Sequence, residues 1–267
     1  MNKVVLITGG SSGIGKSIGE FLHLKGYVVY GTSRNPERVL NSVFPLIALD
    51  VRNADSIHSA VAKVIATTGR LDVVINNAGV GITGPLEEIP MEEIKNNFET
   101  NFFGPIEVMK AVLPQMRSQQ SGLIINITSI AGYMGLPYRS VYSASKGALE
   151  LITEALRMEV KSFGIQITNI APGDFATNIA AGRFHAPVIK GSAYETPYGN
   201  NLKTMDEHVD SGSNPNEMAE AVFAIIENPS PKIHYKVGAF MQKFSIVLKR
   251  ILPDKVYEKM LMNHYKL

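Results

Sequence analysis

Residues 6–17 read LITGGSSGIGKS, and two chemistries compete for them. Gly10, Gly15, Lys16 and Ser17 satisfy the G-x-x-x-x-G-K-[ST] pattern of a phosphate loop, whose lysine reaches the terminal phosphates and whose hydroxyl faces magnesium. The same letters give Thr8-Gly9-x-x-x-Gly13-x-Gly15, a glycine-rich turn between a strand and a helix. Both turns aim backbone N–H groups and a helix N-terminus at phosphate oxygens. The stretch therefore predicts a phosphate-binding strand–turn–helix. Residues further along decide between cleaving a phosphoanhydride and holding a dinucleotide.

Outward from that turn, short β-branched runs alternate with longer helical stretches. Lys3–Thr8, Tyr27–Thr32, Pro45–Asp50, Leu71–Asn76, Leu123–Thr128 and Gln166–Ile170 read as strands. They are apolar throughout, as parallel strands covered on both faces are. Helical stretches lie near 14–26, 53–68, 91–118 and 139–163. This alternation predicts an α/β fold, a doubly wound parallel sheet. No linker or shift of composition divides residues 1–267, so one domain is expected. The alternation lapses after Pro172, and 178–213 reads as an irregular segment of the kind that forms a functional loop. Helix signals resume at Asn214-Pro215-Asn216-Glu217, with an N-cap, a proline at the first position and a glutamate three past the cap.

Composition narrows the function. The 267 residues are 45 % hydrophobic and 19 % charged, ordinary for a globular protein with a real core. A net charge of +2 gives no reason to expect a nucleic-acid partner. The absence of cysteine excludes disulfides, thiolate catalysis and zinc ribbons. Six histidines are scattered with no pair at i, i+4, so no metal site is expected. The apolar run after Lys3 is too short for a signal peptide, and no run approaches a membrane span. A cytoplasmic protein is the expectation.

The phosphate-loop reading needs a second aspartate at a strand end, and Leu46-Ile47-Ala48-Leu49-Asp50 supplies one. It leaves the downstream residues unexplained. Asn76-Asn77-Ala78-Gly79 ends the fourth strand, where a doubly wound sheet presents residues to a ligand across its carboxyl edge. Ser129 follows the fifth strand, and Tyr142 and Lys146 stand beyond it in YSASK. At i, i+4 on a helix, tyrosine and lysine share a face. A tyrosine with a pKa of about 10 is barely ionised at neutral pH. A nearby ammonium favours the phenolate by roughly 1–3 pKa units, so Lys146 is expected to bring Tyr142 toward neutrality as a general acid–base. Ser129 would polarise the substrate oxygen. None of this acts on a phosphate.

Taken together, Thr8-Gly9-x-x-x-Gly13-Ile14-Gly15, Asp50-Val51, Asn76-Asn77-Ala78-Gly79, Asn101, Ser129, Tyr142-x-x-x-Lys146 and Pro172-Gly173 resemble the short-chain dehydrogenase/reductase family in order and spacing, over nearly the whole chain. The resemblance implies a Rossmann-type sheet of strand order 3-2-1-4-5-6-7 that binds NADP(H) or NAD(H). It implies that Gly9, Ser11, Ser12, Gly13, Ile14 and Gly15 border the cofactor. Asp50, with Val51 beside it, would meet the adenine, and the backbone of Asn77, Ala78 and Gly79 the adenosine side. Lys146 would contact the nicotinamide ribose, and Asn101 would hold water in a proton relay that reaches Lys146. Pro172 and Gly173 would border the nicotinamide, with Thr177 near its amide or the diphosphate. A homodimer or homotetramer packed through the helices near 91–118 and 139–163 is implied as well. Lys16 is then an ordinary solvated helix residue.

The second strand decides the dinucleotide. In VVYGTSRNPE no acid occupies the strand end, where NAD enzymes bind the ribose 2′-OH. Arg34 stands nineteen residues past Gly15 beside Ser33 and Thr32, and a guanidinium pairs with a 2′-phosphate. Ser11 or Ser12 reaches the same phosphate. NADP(H) is favoured over NAD(H).

Residues 232–267 carry eight Lys/Arg against Asp254 and Glu258, a net +6 in a chain of net +2. Within 239–267, Phe240, Phe244, Val247, Leu248 and Ile251 line one helical face, with Lys243, Lys249 and Arg250 opposite. Such a face packs on its own domain or a sister subunit more often than on a membrane surface, so packing is the expectation. The tail and the YGTSRNPE stretch resemble family members that act on hydroxysteroids, retinoids and other lipophilic alcohols or ketones. The expected activity is hydride transfer between NADP(H) and a small-molecule secondary alcohol or carbonyl. The rival readings are a non-catalytic NADP-binding regulatory module, a sugar-nucleotide epimerase or dehydratase, and the triphosphatase of the opening pattern.

Overall fold

Val4–Ile7 (β1) is apolar at four successive positions, and the sheet uses both of its faces. Val4 and Leu6 join one core layer, while Val5 and Ile7 join the other. In the computed structural model, which describes residues 2–175, 182–210 and 213–267 and all their side chains except those at 204 and 206–210, β1 lies near the middle of a seven-stranded parallel sheet. Its companions are β2 (Val28–Ser33), β3 (Leu46–Ala48), β4 (Val73–Asn76), β6 (Gly122–Ile127), β7 (Ile165–Pro172) and β9 (His234–Val237). The order β3-β2-β1-β4-β6-β7-β9 is 3-2-1-4-5-6-7 when only this sheet's strands are counted, as expected. The order reverses between β1 and β4, which opens a crevice at their carboxyl ends.

Helices cover both faces. On one side α2 (Ala54–Thr68), α4 (Gly104–Gln119) and α5 (Ser140–Glu159) pack over Val4, Leu6, Val74, Ile124 and Ile167. On the other, α1 (Gly13–Leu24) and α7 (Pro215–Glu227) pack over Val5, Ile7, Ile75, Ile125 and Ile170. Local chemistry sets their ends. Asn53 accepts a hydrogen bond from Ser56 N at 2.9 Å to open α2, which Gly69 closes in the left-handed conformation. Asn214 accepts from Asn216 N at 3.0 Å ahead of Pro215, so the start of α7 lies where its sequence predicts.

Two expectations are corrected. The helix near 91–118 is two helices, α3 (Met91–Phe98) and α4, joined by a π-helical turn over Glu99–Phe103. Pro105 has no N–H for the carbonyl four residues back, and the ladder slips there, with Gly104 N–H reaching Glu99 O. The segment 178–213 is not irregular throughout. A short strand, β8 (Phe184–His185), pairs with β5 (Ile82–Thr83), and α6 (Glu195–Asp210) follows. The polar sequence of α6 hides it, because few side chains anchor it: fully buried Tyr198 donates to Ala186 O at 2.9 Å and lies against the Tyr138 ring, and Met205 is buried beside Thr83.

The tail forms two helices. α8 (Phe240–Ile251) and α9 (Asp254–Tyr265) meet at Leu252-Pro253. Ile246, 2 % exposed, and Tyr257 pack against Ile130, Met134 and Ala171, with Leu248 partly covered beside them. Of the stripe expected to pack on its own domain or a sister subunit, Leu248 meets the domain, while Phe240, Phe244, Val247 and Ile251 are exposed on the single chain. The inward face of α8 is set by Gln242, which bonds Asp174, and by Ser245 and Ile246. Among the described residues no helix is long and apolar enough to cross a membrane.

Candidate active site

The glycine turn is built by close approach. Gly9 and Gly13 have φ of +64° and +52°, where a side chain is strained. A Cβ on Gly15 would stand 2.4 Å from Asn77 Nδ2, so α1 seats against the end of β4 only without one. Thr8 Oγ accepts from the N–H groups of Asn77 and Ala78 at 2.9 and 3.0 Å. Asn77 Nδ2 donates back to Thr8 O at 2.9 Å, and Gly9 N donates to Thr32 Oγ at 3.2 Å. Three strand ends are thereby tied at the switch point. Ser12 caps α1 without a side-chain bond to its first turn. The two residues that a phosphate loop would use point elsewhere: Lys16 is exposed and 3.7 Å from Glu20, and Ser17 donates to Asn216 at 2.9 Å.

Above this turn lies a cleft of about 530 Å³. It is lined by Gly9, Ser11, Ser12, Gly13 and Ile14 from the turn, by Thr32, Ser33 and Arg34 from the end of β2, by Asp50 and Val51 after β3, and by Asn77, Ala78 and Gly79 after β4. These are the residues expected at a dinucleotide. Gly15 lies beneath them as the packing contact. Arg34 is exposed, and no carboxylate pairs with it among the described residues, so its guanidinium is available to an anion at the cleft rim. Asp50 is half-buried and accepts from Arg52 N at 3.0 Å. A cleft floored by glycines that a Cβ would fill, with the N-terminus of α1 open to it, fits a dinucleotide.

A smaller pocket of about 80 Å³ adjoins the cleft, sharing Ile14, Gly81 and Ile82 with it. Ser129, Tyr142, Pro172, Gly173, Asp174, Phe175, Arg139 and Arg183 complete its wall. Tyr142 and Ser129 face the same pocket. Ser129 Oγ accepts from Ala131 N at 3.2 Å, which fixes its rotamer as the cap of a 3₁₀ turn. Thr177 lies outside the described residues.

Burial pushes the Tyr142 phenol above its usual range. The Ser129 hydroxyl and the charges of Arg139 and Arg183 pull it back in part, and Asp174 adds to the rise. This corrects the expectation of a lowered tyrosine, because desolvation outweighs the neighbouring charges. Lys146 Nζ donates to Ile127 O at 2.9 Å and is almost fully buried. Burial brings its ammonium down to about 8, against an opposing pull from Glu150. Asn101 is fully buried in the π-helical turn. Its Oδ1 accepts from Val80 N at 2.9 Å and its Nδ2 donates to Val80 O at 2.8 Å, so the side chain braces the backbone that follows Asn77-Ala78-Gly79.

Sequence reasoning missed Glu150. One helical turn beyond Lys146 and buried, it accepts from Thr128 Oγ, from Tyr133 OH at 3.0 Å and from Asn169 Nδ2 at 2.9 Å. His234 Nδ1 stands 2.8 Å from it, and His234 Nε2 reaches Glu154 at 3.0 Å near the surface. The signal was present: positions 142, 146, 149, 150 and 153 share the inward face of one helix, and a carboxylate there needs partners. Arg139, Asp174 and Arg183 were missed as well, since nothing in their spacing announces a pocket wall.

Comparison with known proteins agrees with this geometry. The model of the short chain dehydrogenase family matches residues 3–187. A 3-ketodihydrosphingosine reductase of Bacteroides thetaiotaomicron is 40 % identical over 264 residues, covering 98 % of both chains. A crystal structure of a short-chain dehydrogenase from Streptomyces avermitilis superposes with a TM-score of 0.85 at 31 % identity, covering 100 % of this chain and 97 % of that one. An alcohol dehydrogenase of the archaeon Thermococcus sibiricus, complexed with 5-hydroxy-NADP, superposes with a TM-score of 0.72 at 25 % identity, covering 90 % of this chain and 97 % of that one.

Proposed function

The chain belongs to the short-chain dehydrogenase/reductase family of oxidoreductases, and we propose that it is an NADP(H)-dependent reductase of a lipophilic ketone or aldehyde. The observation that carries this reading is that Ser129 and Tyr142 meet in a small pocket opening from the dinucleotide cleft, with Lys146 one helical turn behind Tyr142. When bound, the dinucleotide supplies the hydride that reaches the carbonyl carbon. The chain's own groups handle the oxygen. Tyr142, held as the neutral phenol by burial, is the proton donor. Ser129 donates a hydrogen bond to the same carbonyl oxygen and polarises it. Lys146, an ammonium below a pH of about 8, supplies positive charge behind the phenolate as it forms. Asn101 keeps the Val80 backbone in place beside the site.

Arg34 with Ser33 is the proposed seat of the 2′-phosphate, supported by the absence of an acidic side chain at the end of β2. The similarity to a 3-ketodihydrosphingosine reductase supports a long-chain amino-alcohol ketone as the first substrate to try. Exposed Phe103, Leu151 and Met158, which stand in the stretches expected to join subunits, support a homo-oligomer.

The test is fluorescence titration with NADPH and NADH, followed by NADPH oxidation with a panel of long-chain ketones. Tyr142→Phe should bind NADPH as the parent does and lose about 10²–10⁴ in turnover. Arg34→Ala should weaken NADPH by roughly 10- to 100-fold, as loss of a charge-assisted phosphate contact does, and leave NADH unchanged. Equal loss for both dinucleotides would overturn the assignment of Arg34. Undiminished turnover in Tyr142→Phe would overturn the mechanism.

A further inference from the structure

The amphipathic helix α8 is mounted with its apolar stripe outward. Phe240 and Ile251 are each 72 % exposed, and Phe244 and Val247 lie between them on the same face. A helix packed only for its own domain turns that stripe inward. Here the inward face holds Gln242 and Ser245, with Ile246 as its one buried apolar residue. The Phe240 and Phe244 rings stack, 5.7 Å between centroids and 11° between planes, so the stripe opens on a flat aromatic platform. Its flank is basic. Lys249 is paired with Asp254 at 3.2 Å, whereas no carboxylate pairs with Lys243 or Arg250 among the described residues.

We propose that this face docks on an anionic lipid surface, α8 lying in the plane of the headgroups with its stripe in the acyl boundary. Charge selects this occupant over a second copy of the chain. Residues 232–267 carry a net +6, and a two-fold pairing of α8 would bring that charge against itself. Anionic headgroups neutralise it while the acyl boundary covers the stripe. Interfacial aromatic rings and basic flanks are the features that such a surface takes up.

The placement has a functional consequence. Gln242, on the opposite side of α8 from the stripe, donates to Asp174 Oδ2 at 2.7 Å, and a Cβ on Gly173 would stand 2.0 Å from Gln242 Oε1. Gly173 and Asp174 are walls of the Ser129–Tyr142 pocket. Docking therefore holds that wall about one helix diameter, roughly 10 Å, from the lipid. The inference rests on the exposed face and its charge, and stands whatever the substrate proves to be.

Co-sedimentation of the full chain with vesicles tests it, using phosphatidylcholine alone and phosphatidylcholine mixed with phosphatidylglycerol. The protein should pellet with the mixed vesicles, less so as salt rises, and remain in solution with phosphatidylcholine alone. Lys243→Gln and Arg250→Gln should each lower partition about fivefold, the equivalent of about 1 kcal/mol for one basic residue at an anionic surface. Phe244→Asp and Ile251→Asp should abolish it, with melting temperature and NADPH binding unchanged. Both aspartates sit on an already exposed face, so loss of fold does not confuse the result. Failure of the parent to pellet with mixed vesicles overturns the proposal, as does pelleting that all four variants retain. An oligomer that Phe244→Asp dissociates, without vesicle binding by the parent, would assign the face to a second copy instead.

Discussion

Whether Tyr142 rests as a phenol or a phenolate depends on a contest between burial and the charges around it, and burial prevails. A resting phenol is a proton donor, which suits carbonyl reduction over alcohol oxidation near neutrality. Lys146 is subject to the same burial in the opposite sense. Its ammonium titrates near 8 in the fold, against 10.5 ordinarily. Between those values the unfolded chain holds a proton that the folded chain has released, so this residue makes stability rise with pH across that window. Below about 8 both states are protonated and the full burial cost is present. Lys146→Met should therefore melt above the parent at pH 7, by about 3 kcal/mol at most. The gap should narrow steadily toward pH 10.5. Thermal melts of ligand-free protein at several pH values check this; a gap constant with pH would mean that the buried ammonium is not what the substitution relieves. Ser129, Tyr142 and Lys146 could be found in the sequence because each is a reactive side chain at a helix or strand position that spacing fixes. The direction of the tyrosine's shift could not, since it depends on desolvation and on Arg139, Asp174 and Arg183, which other segments bring in.

Helix α5 joins these residues to the rest of the sheet. One face carries Tyr142, Lys146 and Glu150 at successive turns, and Glu150 gathers hydrogen bonds from Thr128 at the end of β6, Asn169 in β7 and His234 in β9. Glu150→Ala would strand buried donors on three strands at once. Its expected cost is about 3 kcal/mol, and Glu150→Gln, which keeps an acceptor oxygen, should cost less. Equilibrium denaturation in urea measures both, and a loss below about 1 kcal/mol for the alanine variant would show that water replaces the carboxylate. Strands β1–β4, β6 and β7 were readable because their runs are apolar without alternation, a pattern that solvent-facing elements do not have, whereas two-residue β5 was too short to read. Helix α6 was not readable, because its polar sequence is held by a few side chains, Tyr198 and Met205 among them, through contacts between distant segments. The π-helical turn is set by Pro105, which withholds an N–H, and by the packing of Asn101 on Val80, neither of which a periodic stretch read as one helix reports. The outward mounting of α8 was hidden in a different way, since periodicity reports which residues share a face and not which way that face turns.

Across the whole molecule, the cleft joins strand ends from both halves of the sheet, so a ligand that fills it should oppose global unfolding. At a hundredfold excess over its dissociation constant, a single bound dinucleotide adds about 2.7 kcal/mol, or roughly 5–10 °C for a chain of this size. NADPH should raise the melting temperature more than NADH at equal concentration, and removing the dinucleotide by dialysis should return it to the ligand-free value. Equal rises would argue against a 2′-phosphate seat at Arg34. The contact between Gln242 and the Gly173–Asp174 turn bears on the order in which the molecule is made. The phosphate-binding turn is synthesised well before Gln242, and at roughly 5–20 residues per second that leaves some 10–50 seconds between them on the ribosome. A nascent chain would then own a place for its cofactor before it owns a finished wall for its substrate. Chains arrested before residue 240 should be retained on an NADP-affinity resin while reducing nothing, so that premature termination would yield a competitor for the cofactor rather than a weak enzyme.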